Sequence, residues 1–250
     1  MKYNLINGDC LQLMESIPDN SIDMILCDLP YGITASNWDK PLDYLKLWGH
    51  YERLIKSNGV IALFASGQFT YQLIKSNEKL YRYKWIWQKT RRGNFVNANN
   101  RPLTAYEEIC IFSNATTANG SKNKMRYYPQ GLIPTNKIKK MNNKFGSIAG
   151  ARPSHKTVIQ NYKNYPCDIL QFNSVSKPIH PSEKPIDLLE YLIKTYTTEN
   201  NIVLDSCMGS GTTGIACLNT KRQFIGMEKD KKYFDLAKTR IEQHRNQLAI

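Results

Sequence analysis

No apolar run in the 250-residue chain reaches the roughly 18 residues a membrane-crossing helix needs. The segment Met1–Asp9 has no apolar core of the kind that marks a secretory signal. No two of the six cysteines (Cys10, Cys27, Cys110, Cys167, Cys207, Cys217) stand at C-x-x-C spacing, so no metal site is expected. Cys27 lies in an apolar run and Cys217 in a predicted helix, as buried thiols do, and a reduced cytoplasmic protein is expected. The most telling absence is acid. There is no Asp or Glu from Lys79 to Tyr106, and none from Ile109 to Cys167.

Those acid-poor stretches carry most of the charge. Residues 79–167 hold 17 Lys and Arg against two acids, Glu107 and Glu108, in a chain of formal net charge +13. Aromatics are interleaved with the cations: Trp85, Trp87, Phe95, Tyr127, Tyr128, Phe145, Tyr162 and Tyr165. Confined positive charge with stacking rings is the footprint expected for a nucleic-acid partner. Lys89, Arg91, Arg92, Lys139 and Lys140 are the candidate DNA contacts, with Arg91 and Arg92 on a loop after the Trp87 strand.

Along residues 1–112 apolar runs alternate with helical spacing. Strands are expected near 3–6, 23–27, 59–64, 84–88 and 107–112, and helices near 9–16, 42–56 and 67–76. Leu45, Trp48, Leu54 and Ile55 would form the buried face of the second helix, with Asn58-Gly59 as its stop. Residues 113–179 are rich in Asn, Ser, Thr, Lys, Gly and Pro, and little regular structure is expected there. From 180 onward a helix, a strand, a Gly-rich turn and a further helix, strand and helix follow. The pattern predicts an α/β fold with a doubly wound, mostly parallel sheet. It divides into 1–112, an irregular basic insertion at 113–179, and 180–250.

Two strand ends carry chemistry. The run Met24-Ile25-Leu26-Cys27 leads into Asp28-Leu29-Pro30-Tyr31. The Asp28 carboxylate and the Leu29 carbonyl can accept both protons of a planar amine, Tyr31 can stack on its ring, and Pro30 restricts the loop. A turn with no ligand is the alternative. The second strand, Ile202-Val203-Leu204, leads into Asp205 and then Gly209, Gly211 and Gly214 at G-x-G-x-x-G spacing. A dinucleotide would set its pyrophosphate against the Asp205 carboxylate. A ligand with an ammonium or sulfonium group suits it better, and S-adenosylmethionine has both. Glu228 ends the next strand, where an acid bonds ribose hydroxyls in a βαβ unit. In a doubly wound sheet these two ends would meet at the switch point.

At these residues the chain resembles the DNA amino-methyltransferases of the N6-adenine and N4-cytosine families, in the β arrangement where the catalytic tetrapeptide precedes the recognition region. Gly8-Asp9 with Leu11 and Leu13, Asp28 to Tyr31, His180-Pro181-Ser182-Glu183-Lys184-Pro185, and Asp205 to Gly214 with Glu228 carry the resemblance. It implies a permuted Rossmann-like methyltransferase fold with residues 113–179 as target-recognition insertion. Asp28, Leu29, Pro30 and Tyr31 would be catalytic. Asp205, Gly209 and Gly211 would hold the methionine part of S-adenosylmethionine, Glu228 the ribose, and Asp9 would lie near the adenine. Cys10, Cys207, Thr212 and Lys184 would also line the cofactor side, with a solvated helix-start residue the alternative for Lys184. His180 would shape a turn, while Trp38 and Asp39 would shape the base pocket, with a core position the alternative for Trp38.

Two departures stand out: Leu29 where Pro is commoner, and Cys207 where Phe is common. Asp at the first clamp position implies N6 of a flipped-out adenine in double-stranded DNA. N4 of cytosine, RNA, a protein glutamine, or a catalytically silent DNA-binding relative are the alternatives. Oligomeric state, a homodimer included, and a cognate restriction endonuclease stay open.

Overall fold

A computed structural model describes residues 2–32, 40–140, 157–180 and 182–248, apart from the side chains of 139, 140, 157 and 158. The described chain divides into two compact units: Met1–Tyr128 with Asp168–Ile250, and Pro129–Cys167.

In the larger unit, β1 (Tyr3–Asn7), α1 (Cys10–Leu13), β2 (Ile22–Cys27), α2 (Tyr44–Leu54), β3 (Ile55–Ala65), α3 (Gln68–Ser76), β4 (Tyr81–Gly93) and β5 (Thr104–Phe112) come first. The smaller unit contributes β6 (Ile133–Lys140) and β7 (Thr157–Lys163). Then follow β8 (Ile169–Phe172), α4 (Ile186–Tyr196), β9 (Ile202–Asp205), α5 (Thr212–Asn219), β10 (Gln223–Glu228) and α6 (Lys231–Gln247).

Eight strands form one sheet in the order β1-β10-β9-β2-β3-β5-β4-β8, and β5 runs antiparallel to both its neighbours. All other pairings are parallel, which meets the expectation of a doubly wound, mostly parallel sheet. The chain winds outward from β2 to β3 on one side and from β9 to β10 on the other. β2 and β9 are hydrogen-bonded neighbours, with Met24 opposite Val203 and Ile25 opposite Leu204. The switch point therefore lies between the strands that end at Cys27 and Asp205, the place where open α/β sheets bind ligands.

Every residue of β2 is buried, as a central parallel strand requires. Met24 and Leu26 face a core with α4, α5 and α6, and Ile25 and Cys27 face a second core with α2 and α3. In α2 the buried face is Leu47, Trp48, Tyr51 and Leu54, and Leu45 is exposed. The helix ends at Leu54, before the expected stop, because β3 begins at Ile55 and runs through Asn58-Gly59. Gly59 serves that strand instead: a Cβ there would come within 2.9 Å of the Asp23 carbonyl.

Regular structure within 113–179 exceeds the expectation. β6 and β7 pair antiparallel, and β8 adds an edge strand beside β4. Tertiary pairing supplied what weak apolar periodicity could not announce. Residues up to Tyr128 belong with the larger unit, where Arg126 bonds the buried carboxylate of Asp23.

Candidate active site

A cavity of about 690 Å³ opens at the carboxyl ends of β2 and β9. Asp9, Cys10, Asp28, Leu29, Pro30, Tyr31, Lys184, Asp205, Cys207, Gly209, Thr212 and Glu228 all line it. The two strand-end signals met in the sequence thus face one space. Its volume falls in the range of roughly 300–1,000 Å³ usual for ligand pockets.

On the β2 side, both carboxylate oxygens of Asp28 are engaged. Tyr31 donates its hydroxyl to Oδ1 at 3.0 Å, and Lys184 Nζ donates to Oδ2 at 2.5 Å. The Tyr31 ring stacks on Phe69, with centroids 4.2 Å apart. Lys184 is buried, not the solvated helix-start residue it could have been, and it belongs to the clamp rather than to the Gly-rich loop. Its ammonium lies 5.0 Å over the Phe64 ring and 3.4 Å from Glu107 Oε2, a buried oxygen with no hydrogen bond. Lys89 holds the other Glu107 oxygen at 2.8 Å.

Two carboxylates and two ammoniums make this cluster neutral, but its acids are not equivalent. Burial, reinforced by the Glu107 charge, pushes the Asp28 carboxyl above its ordinary value despite Lys184. Burial acts on Glu107 too, but Lys184 and Lys89 outweigh it and hold that carboxyl low. Burial opposes the Lys184 charge, yet the Asp28 and Glu107 carboxylates win and raise its pKa.

On the β9 side, Asp205 shapes the loop it begins. Its carboxylate accepts from Thr213 Oγ1 at 2.6 Å and from the Cys207 amide at 3.1 Å. Burial pushes that carboxyl up to about 6. Ser206 Oγ pairs with the Tyr51 hydroxyl at 2.7 Å and anchors the loop beneath. Glu228 accepts from the amides of Gly209 (2.9 Å) and Asp230 (2.8 Å), which ties β10 to the Gly-rich turn, and burial raises its pKa. Asp9 caps α1 through the Leu11 amide, and its hydrogen bond from Lys229 holds its pKa low. The His180 ring lies edge-on to Tyr233 at 4.4 Å and meets Ser182 Oγ at 3.0 Å, as a turn-shaping residue would.

Several expectations are corrected here. Gly211 does not line the cavity; a Cβ there would come within 2.9 Å of the Ala237 Cβ, so its small size admits α6. Lys89 is spent on Glu107 rather than held out to solvent, while Arg91 and Arg92 are exposed. Trp85 and Trp87 are core residues, each 3% exposed, with their indoles donating to the Tyr196 hydroxyl and the Phe172 carbonyl. Lys139 and Lys140 lie in β6 but their side chains fall outside the described residues, as do Trp38, Asp39, Phe145 and Pro181. Glu107, Phe64 and Phe69 were not singled out in the sequence. For Glu107 a signal existed: it and Glu108 are the only acids in an 89-residue basic zone.

The model of the DNA methylase family for N6 and N4 methylation matches residues 22–239. The chain belongs to that family. Among its relatives, the Type II methyltransferase M.HpaI of Haemophilus parainfluenzae is 25% identical over 98% of this chain and 76% of its own length. M.HindIII of Haemophilus influenzae is 24% identical over 97% and 96%. Two solved structures share the fold. M1.HpyAVI in complex with SAM has a TM-score of 0.63 and 24% identity, covering 95% of this chain and 99% of its own. The cytosine-N4-specific PvuII DNA methyltransferase has a TM-score of 0.68 and 16% identity, covering 99% and 93%.

Proposed function

We propose that this methylase transfers a methyl group from S-adenosylmethionine to the N6 amine of an adenine flipped out of duplex DNA. The observation that carries the reading is the meeting of Asp28 and Asp205 across the β2–β9 switch point in one cavity. The donor set fits the cofactor. Asp205 offers negative charge where an ammonium and a sulfonium would lie, Glu228 and Asp9 offer carboxylates for hydroxyl and amine groups, and the Gly209 backbone leaves that wall open. When bound, S-adenosylmethionine supplies an electrophilic methyl carbon on sulfur.

The chain's own residues do the rest by position and charge. Asp28 and the Leu29 carbonyl accept the two amine protons and turn the nitrogen lone pair toward the donor. Held by Asp205, Glu228 and Asp9, the cofactor would supply its methyl to the amine nitrogen and keep the sulfur as a thioether, and the nitrogen would then release one proton. Asp28, whose carboxyl is raised by burial, is the acceptor in place for it. Tyr31 offers the ring on which the base stacks. Asp at the head of the clamp favours adenine over cytosine. The Type II names of the relatives support a restriction–modification setting with a cognate endonuclease, and a cytoplasmic location accords with it.

Methylation-detecting sequencing of DNA from cells expressing the chain, with nucleoside mass analysis, tests this. N6-methyladenine at one short sequence is expected, and Asp28→Ala should lower it at least 100-fold, within the range assigned to positioned proton acceptors. N4-methylcytosine would overturn the choice of base. Methylation surviving in Asp28→Ala would overturn the mechanism.

A further inference from the structure

The hairpin between β4 and β5 has a tip that the reaction chemistry does not use. β4 runs parallel to β3 across the intervening β5, so its carboxyl end projects on the same edge of the sheet as Asp28 and Asp205. Trp87 of β4 pairs with Glu107 at the cavity, and Gly93 pairs with Thr104 six residues farther on. Thr104 is only three residues from Glu107 on β5, the surplus on β4 being taken up by a register shift, so at about 3.3 Å per residue the hairpin extends roughly 10 Å past the cavity floor. Its outer part is braced: Thr90 Oγ1 accepts from the Ser174 amide, and Ser174 Oγ accepts from the Arg91 amide.

The tip is preformed. Asn94 takes a left-handed φ of 67°, and successive backbone bonds (Asn97 to Asn94, Ala98 to Phe95, Arg101 to Asn97) fold the following residues into a turn. That turn holds Phe95 and Val96 outward, 78% and 96% exposed. An apolar pair so exposed gains nothing for the fold. Arg91, Arg92 and Arg101 flank it, all exposed, and no acid lies within Lys79–Tyr106. Apolar residues ringed by cations suit a partner that is anionic outside and apolar inside. A base-pair stack between phosphate strands has that profile.

We propose that Phe95 and Val96 form a wedge that enters the DNA stack beside the target and fills the space its base vacates. This rests on the reading of the protein as a DNA methylase. A flipped base loses its stacking and pairing, and an inserted apolar side chain offsets part of that loss. The flanking arginines would hold the two phosphate strands while the stack opens.

The test uses the full chain and duplex oligonucleotides containing the sequence mapped in cells, with either the normal partner base or an abasic site opposite the target. Phe95→Ala/Val96→Ala should methylate the paired duplex about tenfold more slowly than wild type and the abasic-opposed duplex within about twofold of it, because that target is already half-released. Cofactor affinity by calorimetry and melting temperature should match wild type, as both side chains are exposed. Equal rates on the paired duplex, equal slowing on both duplexes, or conversion of an oligomer to a monomer would overturn the wedge. A wild type that methylates neither duplex would overturn the DNA reading itself, and the wedge with it.

Discussion

With Tyr31 on one oxygen of Asp28 and Lys184 on the other, an incoming amine meets a carboxylate whose near partners must shift. Lys184 has somewhere to go. Glu107 Oε2, which accepts no hydrogen bond, lies 3.4 Å from its ammonium, so the charge can move across without leaving the cluster. Until then Lys184 also opposes the burial that raises the Asp28 carboxyl. Lys184→Gln removes that opposition and leaves the Glu107 charge against Asp28, with only the Tyr31 hydroxyl to offset it. An acid that must be ionised to accept an amine proton then ionises only at higher pH. The acid limb of the kcat/KM profile should move upward by at least one pH unit, about 1.4 kcal/mol of lost interaction. Stability should follow the same sign. A carboxyl whose folded pKa is raised binds its proton more tightly folded than unfolded, so its contribution is greatest at low pH and is lost as pH rises through the folded value. Lys184→Gln should therefore lose more melting temperature than wild type does as pH rises above the ordinary carboxyl value of 3.8. An acid limb that stays in place would show that Lys184 does not set the Asp28 charge.

At the scale of elements, the Gly-rich turn does two jobs that the sequence spacing fused into one. Gly209 has φ +50°, lines the cavity, and would place a Cβ in ordinary contact with the His180 ring at 3.8 Å. Gly211 has φ +80° and would drive a Cβ to 2.9 Å from Ala237 of α6. Gly211→Ala combines positive-φ strain with overpacking, and a loss of roughly 2–4 kcal/mol in unfolding free energy is expected. Gly209→Ala carries the strain alone, about 1–2 kcal/mol, but should weaken S-adenosylmethionine binding more than Gly211→Ala does. Chemical denaturation and calorimetry on both variants read the two effects separately, and reversed ranks in the two measurements are the expected result. The contrast also marks what was legible beforehand. Strand-end acids, a central apolar strand and the order of β and α segments are local patterns, and they pointed to Asp28, Asp205 and Glu228, which the fold brings to one cavity. Which neighbour each residue meets depends on long-range packing. Gly211 read as a ligand-side glycine, Trp87 as a surface ring and Leu45 as core. Lys184 could not be distinguished from a solvated residue until Asp28, 156 positions away, stood beside it.

For the molecule as a whole, net charge +13 overstates what a polyanion can reach. Within the basic zone Lys84 pairs with Glu108, Lys89 with Glu107, and Arg126 with Asp23. Arg82 spends its guanidinium on the carbonyls of Ala115 and Ser113, each at 2.6 Å. Such cations hold the fold together, and their charges are already compensated or fixed by backbone. Arg91, Arg92 and Arg101 on the β4–β5 hairpin are exposed, so they remain available for phosphate. Each phosphate neutralised steepens the fall of log K with log salt by about 0.9 on duplex DNA. Arg91→Ala/Arg92→Ala should therefore flatten that slope by roughly 1.8 and weaken binding to cognate and unrelated duplexes alike. Arg82→Ala is the matched control: it removes one positive charge but breaks carbonyl bonds instead of phosphate contacts, so melting temperature should fall and the salt slope should stay. Fluorescence anisotropy titrations across a salt series give both slopes. If Arg82→Ala flattened the slope as much as the hairpin arginines do, the affinity would follow total charge, and the division between fold-holding and DNA-facing cations would be wrong.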